Sequence, residues 1–238
     1  MDYFFADPEE IVEGHLSIKG DEYRHLSRVL RKKAGDHVMV TDGKGRMYEA
    51  IIRSLSRTHA ECAVLHTFER LNEPRIEVTL AISPLKNPAR LDFAVEKATE
   101  LGVSTIIPLV CERTIRKHEK HLRLQKLAAA AMKQCGRCVL PTVFILTHFD
   151  TLVANSGQYQ LKLIPHERTE QSQFIGLVMK HHPAVKSALI LIGPEGGFTE
   201  EEMRLAADHG FVAISLGPRR LRSETAAISA LSWVVGGW

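Results

Sequence analysis

Within residues 186–238 the chain twice runs from an apolar segment of strand length through a glycine turn into a helix start, and this repetition restricts the fold more than any other feature. Residues 187–192 are apolar after Ser187 and break into Gly193-Pro-Glu-Gly-Gly197, whose glycines admit backbone conformations closed to other residues and let a ligand approach the main chain. Thr199 and Glu202 form a capping-box pair, so a helix is predicted to begin there and to stop at Gly210. Residues 211–216 are a second predicted strand, broken by Gly217-Pro218, with Ser223 as the cap of a helix from Glu224 to about Trp233. Strands alternating with helices make a mostly parallel sheet, whose ligands bind beyond the carboxyl ends of the strands. Both loops are therefore expected to line one pocket, with Arg219, Arg220 and Arg222 on the second loop. On spacing alone, glycines that merely turn the chain and arginines that merely meet solvent stand as the alternative.

Composition sets the outer bounds. At 238 residues, 45% hydrophobic and 25% charged, the chain has the make-up of a soluble globular protein with room for one large domain or two modest ones. The net charge of +3 divides unevenly, with 11 Lys+Arg against 12 Asp+Glu in residues 1–70 and 20 against 16 in residues 71–238. Gross charge does not announce nucleic-acid binding, so local clusters must carry that argument. Met1-Asp-Tyr-Phe-Phe lacks a basic start and a sustained apolar core, and no apolar run approaches membrane-spanning length; a cytoplasmic protein with no membrane partner is expected. Cys62, Cys111, Cys135 and Cys138 are too few and scattered for a disulfide framework. Cys135-Gly-Arg-Cys138 follows a helical alanine run instead of opening a helix, which argues against a redox pair, and without a second ligand pair no metal site is expected.

Residues 1–70 read as a small β-rich domain with one helix. Asp21 is the expected cap of a helix over 22–33, with Tyr23, Leu26, Val29 and Leu30 on one face and Arg24, Arg28, Arg31 and Lys32 on the other. Residues 36–41, 47–55 and 60–68 are strand-like, and Asp42-Gly-Lys-Gly45 is a hairpin loop that carries Lys44 and precedes Arg46. This basic surface is read as an RNA-backbone contact, with a merely solvated face as the other reading. The polar segment 71–75 marks a domain boundary, giving domains 1–70 and 74–238. Beyond it a strand over 76–83 precedes a helix capped by Asn87 with Pro88 at its first position, striped by Leu91, Ala94, Val95, Ala98 and Leu101 and ended by Gly102. A strand over 105–110, a helix over about 120–134, a strand near 142–146, a strand over 159–164 and a helix over about 170–180 complete the alternation.

The strings Gly193-Pro-Glu-Gly-Gly-Phe198, Leu216-Gly-Pro-Arg-Arg-Leu-Arg222 with Glu224-Thr-Ala226, Lys97-Ala-Thr-Glu-Leu-Gly-Val103, Glu112-Arg113 and Gln134-Cys-Gly-Arg137 occur in order, and together they resemble the RsmE family of SPOUT-class RNA methyltransferases. Lys133 stands where that family usually carries an acidic residue, and Ser223 where alanine is usual. The resemblance implies a fold of the α/β class: a C-terminal, mostly parallel sheet with a deep trefoil knot behind a small N-terminal PUA-like β-barrel. It implies S-adenosylmethionine as cofactor, methylation of N3 of a uridine in 16S ribosomal RNA or the assembling small ribosomal subunit, and a homodimer. Two other readings stay open: a SPOUT methyltransferase acting on another RNA, and an RNA-binding ribosome assembly factor without catalysis.

Methyl transfer to nitrogen needs positioning and charge stabilisation more than covalent help. Loss of the uracil N3 proton spreads negative charge onto O2 and O4, and Arg222 is the expected guanidinium to meet it, with a phosphate clamp or a salt bridge to Glu224 as alternatives. The resemblance places the cofactor against Leu163, Pro165, His166, Ile192, Gly193, Pro194, Glu195, Gly196, Gly197, Leu216, Gly217, Leu221, Arg222 and Thr225. His166 and Glu167 read equally as functional or as ordinary surface residues. Arg113 and Arg137 join the cations expected to meet RNA, Arg137 as a bidentate phosphate contact. Residues 230–235 fit either a dimer interface or the chain's own core.

Overall fold

In the computed structural model, which describes residues 2–167 and 173–236, the chain divides into two compact units, Met1–Glu73 with Met132–Leu140 and Pro74–Ala131 with Pro141–Trp238. The units part between Glu73 and Pro74, and residues 132–140 belong to the first unit, a membership that was not anticipated.

In the first unit, β1 (Tyr3–Phe5), β2 (Ile11–Val12), β3 (His15–Lys19), β4 (His37–Thr41), β5 (Arg46–Leu55) and β6 (His59–Glu69) form a six-stranded sheet in the order β1-β4-β5-β6-β3-β2. Only the β1–β4 pair is parallel. Alternating residues Val38 and Val40, Ala50 and Ile52, and Leu16 and Ile18 bury one face together with Phe4 and Leu26. The turn between β4 and β5 uses Gly43 and Gly45 at φ +68° and +110°, while Asp42 Oδ1 accepts the amides of Lys44 and Arg46 at 2.8 and 3.0 Å.

The helix departs from its predicted form. It starts as α1 (Gly20–Arg24) behind Lys19, which makes no side-chain cap, and Asp21 pairs with Arg24 instead of capping. Residues His25–Val29 then wind as a π turn in which the Leu30 amide donates to the His25 carbonyl five residues back at 3.0 Å. The wider turn rotates Val29 out of the apolar stripe: it is 66% exposed while Leu26 is buried. Arg31, at φ +53°, and Lys32 lie past the last turn, so the four cations do not share one helical face.

Residues 132–140 close this unit. Arg137, expected at an RNA phosphate, is 2% exposed, and its Nη2 donates to Glu73 Oε2 at 2.7 Å. Glu73 Oε1 also accepts the amides of Cys138 and Val139 at 2.9 Å each. A buried guanidinium needs a buried carboxylate with its remaining lone pairs filled, and Glu73 supplies both; Arg137 is a structural cation. Lys133 pairs with Glu22 Oε1, whose Oε2 accepts the Phe5 amide at 3.1 Å. Cys138 packs among Met39 and Met47, and burial pushes its thiol up to about 11, so it stays protonated at neutral pH.

The second unit holds β7 (Glu77–Ile82), α2 (Pro88–Glu100), β8 (Thr105–Val110), α3 (His121–Gln134, of which residues 121–131 belong to this unit), β9 (Thr142–Val143), β10 (Thr147–His148), α4 (Phe149–Ala154), β11 (Leu161–Pro165), α5 (Ile175–His181), β12 (Ser187–Ile192), α6 (Glu200–Asp208), β13 (Val212–Ile214) and α7 (Ser223–Gly236). Its strands order as β10-β8-β7-β12-β11-β13 with β9 also on β8, and every pair is parallel. Central strand β12 shows why the run 188–192 has no polar alternation: Ala188, Ile190 and Ile192 pack into one core and Leu189 and Leu191 into another, so both faces are covered.

Asn87 caps α2 by accepting the Ala89 amide, and Leu91, Ala94, Val95 and Ala98 are buried as the spacing requires. The strand expected near 142–146 is split into β9 and β10, and α4 was not anticipated. The expected start of α5 at Glu170 lies outside the described residues; the helix is seen from Ile175. Ala230, Leu231 and Val234 of α7 are buried in the unit's own core, and Trp233 meets Phe174 edge-on at 5.4 Å.

Candidate functional site

Neighbouring strands β7, β12, β11 and β13 all point their carboxyl ends the same way, so the loops that follow them gather at one edge of the sheet. There they enclose a cavity of about 950 Å³ lined by Asn87, Arg90, Arg113, residues 165–167, residues 192–200, Met203, Leu216, Gly217 and residues 219–223 with Ala226. The two loops singled out by the sequence do share one pocket. Gly197, at φ +69°, and Gly217, at φ +105°, have nothing within 4 Å of where a Cβ would stand, so each leaves open space beside the main chain.

The first loop is held by groups far away in sequence. Thr199 and Glu202 form the reciprocal capping box, with Thr199 N to Glu202 Oε2 at 2.8 Å and Glu202 N to Thr199 Oγ1 at 3.2 Å. Glu202 Oε1 also accepts the Glu112 amide at 2.8 Å. Arg113, expected at RNA, donates from Nη1 to the carbonyls of Gly196 at 2.9 Å and Phe198 at 3.3 Å, so its guanidinium braces the glycine loop. A Cβ on Gly196 would stand 3.3 Å from the Arg113 side chain.

The second loop is tied to the first and to α2. Ser223 is the first residue of α7 instead of its cap, and its hydroxyl donates to the Gly193 carbonyl at 2.9 Å. Glu224 pairs with Arg90 and not with Arg222: Arg90 Nε donates to Oε1 at 2.8 Å and Nη2 to Oε2 at 2.6 Å. Arg90 Nη1 also reaches Glu195 Oε1 at 3.3 Å, an atom that accepts the Lys86 amide at 3.1 Å. Burial alone would push the Glu224 carboxyl up, but the Arg90 hydrogen bonds, together with the group's own backbone amide and the charges of Arg90 and Arg222, hold it below the ordinary carboxylate range. Arg222 is exposed at the cavity and, among the described residues, has no ion-pair partner; Arg220 pairs with Glu167 at 3.3 Å.

Of the sequence-predicted cofactor residues, Pro165, His166, Ile192, Gly193, Pro194, Glu195, Gly196, Gly197, Leu216, Gly217, Leu221 and Arg222 line the cavity. Leu163 does not: strand alternation turns it into the core with Ile190 and Ile192, and it is fully buried. Thr225 points outward on α7 and is exposed. Sequence reasoning missed Asn87 and Arg90, although the strand-end rule applied to the first strand of this unit would have found them. Of the remaining cations, Arg24, Arg28, Arg31 and Arg46 are exposed; Arg24 pairs with Asp21, Lys32 with Asp2 at 2.9 Å, and Arg46 with Glu69 at 3.1 Å. Lys44 sits at the hairpin turn, bridged through its backbone to Val139. Among the described residues no helix is long and apolar enough to cross a membrane, and no group of three or more His, Cys, Asp or Glu could hold a metal ion.

Residues 72–235 match the RNA methyltransferase domain family and residues 18–65 the RNA methyltransferase PUA domain. The chain is 34% identical over 230 residues to ribosomal RNA small subunit methyltransferase E of Synechocystis, covering 95% of this chain and 75% of that protein. It is 30% identical to the Bacillus subtilis protein of the same name, covering 91% of this chain and 88% of that one. Among solved structures, the chain is similar to ribosomal RNA small subunit methyltransferase E from Neisseria gonorrhoeae bound to S-adenosyl methionine, with a TM-score of 0.86 and 30% identity over 100% of this chain and 98% of that chain.

Proposed function

The chain belongs to the ribosomal RNA small subunit methyltransferase E family, and from that premise we propose that it transfers a methyl group from S-adenosylmethionine to N3 of a uridine in 16S ribosomal RNA. The observation that carries this reading is the cavity at the strand ends, about 950 Å³ and so of a size for a nucleoside-bearing ligand, walled by backbone whose glycines leave room beside it. Residues 193–197 and 216–221 would hold the cofactor through main-chain amides and carbonyls, with Ile192, Leu216 and Leu221 as apolar walls and Pro165 and His166 at the β11 end. When bound, S-adenosylmethionine would supply an electrophilic methyl group on a sulfonium, whose S–CH₃ bond breaks with its electron pair left on sulfur as the neutral thioether.

The chain's own part is orientation and charge. As the uracil N3 proton departs to solvent, its electron pair becomes available for the new N–CH₃ bond and negative charge spreads onto O2 and O4. Arg222, exposed at the cavity with no ion-pair partner among the described residues, is the guanidinium we assign to that charge. Arg222→Lys keeps the charge but loses the planar fork, and the single-turnover methylation rate at saturating RNA is expected to fall by roughly 100-fold, while cofactor affinity changes far less. A rate within about threefold of wild type, under 1 kcal/mol in the barrier, removes Arg222 from the chemistry. A phosphate clamp would instead raise the RNA concentration required and spare the saturated rate.

The proposal includes a homodimer that works in the cytoplasm on 16S ribosomal RNA or the assembling small subunit; light scattering at a monomer mass would remove the dimer. Mass spectrometry of ribosomal RNA from a deletion strain is expected to show one uridine methylation lost, and no change at any uridine would reject the substrate. No calorimetric binding of S-adenosylmethionine would leave only a non-catalytic RNA-binding role. The deep knot is part of the same reading. It is supported by the order β12-β11-β13, in which the chain after β12 passes β11 to pair on its far side, and a crystallographic backbone trace without that threading would remove it.

A further inference from the structure

Arg90 lines the cavity, and its pair with Glu224 has no part in the steps above. Arg90 belongs to the first turn of α2 and Glu224 to the first turn of α7, and the guanidinium occupies both carboxylate oxygens, at 2.8 and 2.6 Å. The Glu224 side chain is only 9% exposed, so its charge needs a partner where it stands. It also lies two residues from Arg222. Burial pushes the Glu224 carboxyl up, and the Arg90 hydrogen bonds, its own backbone amide and the charges of Arg90 and Arg222 together reverse this, which puts Arg222 within electrostatic reach.

We propose that Arg90 is a positioning residue: by filling both oxygens of Glu224 it keeps that carboxylate from taking Arg222, and so leaves the Arg222 guanidinium free for the charge that develops on uracil. The inference rests on the catalytic reading of Arg222. Its physical basis is competition for one carboxylate. With Arg90 removed, Arg222, the other cation whose charge acts on Glu224 and one without an ion-pair partner among the described residues, is the partner this mostly buried anion is expected to take, because leaving it unpaired is costly. A fork-to-fork pair with Glu224 would then use the same donors that substrate oxygens require. Glu195 shares Arg90 through Oε1 only, at 3.3 Å, and the same oxygen accepts the Lys86 amide at 3.1 Å.

The test is a double-mutant cycle read by single-turnover methylation at saturating RNA and cofactor. Arg90→Met is expected to slow the saturated rate by roughly 30-fold or more, approaching the roughly 100-fold loss of Arg222→Lys, with the RNA concentration at half-saturation changed less than about threefold. Removing the competitor should restore it: Arg90→Met/Glu224→Gln is expected within about threefold of Glu224→Gln alone. Arg90→Lys, which keeps a charge but only a point contact, should fall between wild type and Arg90→Met and covers the case in which Arg90→Met does not fold. A crystal structure of Arg90→Met, or of Arg90→Ala in its place, is expected to show the Glu224 carboxylate within 4 Å of Arg222; Glu224 remaining away from Arg222 overturns the proposal. A double mutant as slow as Arg90→Met overturns it too, since Arg90 then acts without Glu224. If Arg222→Lys itself keeps the wild-type rate, the catalytic reading fails whatever Arg90 does; a slow Arg222→Lys with an unrescued double mutant sinks this inference alone.

Discussion

Arg137 and Arg222 each end a conspicuous motif, one in the segment 132–140 and the other in the loop before α7, yet they do opposite things with the same side chain. Arg137 is 2% exposed and its charge is consumed by Glu73, which also takes two backbone amides. Arg222 is exposed at a cavity, and the carboxylate nearest it in sequence is occupied by Arg90. The difference teaches that a guanidinium becomes available for chemistry when its neighbours' charges are already satisfied, so the fate of nearby carboxylates matters as much as the arginine itself.

The largest test of this contrast is stability. Arg137→Ala leaves Glu73 buried and unpaired, and urea denaturation should show a loss of about 3–5 kcal/mol, whereas Arg222→Lys should stay within about 0.5 kcal/mol of wild type. Equal losses at both sites would erase the distinction. Next is the backbone at the cavity. Gly197→Val forces φ +69° on a β-branched residue and fills space beside the loop. Strain of about 1–3 kcal/mol is expected in stability, and a loss of roughly 100-fold or more in S-adenosylmethionine affinity by calorimetry. Full affinity in a folded Gly197→Val protein would place the cofactor elsewhere.

A smaller effect sharpens the role of the Arg90 pair. The Glu224 carboxyl is depressed in the folded state, so the unfolded chain takes up its proton first as pH falls. Its contribution is therefore complete above the ordinary value of about 4.5 and lost progressively below it. Wild type should lose more stability than Glu224→Gln on acidification below that point, with a constant difference above it; parallel acid limbs would mean the pair adds nothing. The smallest effect concerns the first unit. Arg28 and Arg31 are exposed without ion pairs among the described residues, while Arg24 and Lys32 are paired. Changing Arg28 and Arg31 to alanine should flatten the salt dependence of RNA binding by about 0.7–0.9 per lost phosphate contact, with less from Arg24 and Lys32. An unchanged slope would make that surface merely solvated.

Local signals were readable wherever a residue's partner lies within a turn or two. The Asn87 cap, the Thr199–Glu202 capping box, the positive-φ glycines at 43, 45, 197 and 217 and the doubly buried run of β12 all follow from short-range rules. The 22–33 helix failed because a single wider turn at His25–Val29 shifts every later residue on the helical wheel, and periodicity gives no warning of it. Ser223 reads as a cap, but its hydroxyl is taken by the Gly193 carbonyl thirty residues away in sequence.

By itself the sequence determined the alternation of strands and helices, the two glycine loops at their ends and the family to which the chain belongs, because hydrophobic period, caps and glycine positions act over a few residues. Only the tertiary structure decided which charges are spent and which are free. Glu73 with Arg137, Glu22 with Lys133 and Glu224 with Arg90 join residues 64, 111 and 134 positions apart. The energy of such a pair depends on burial and distance in space, and neither is written in sequence spacing.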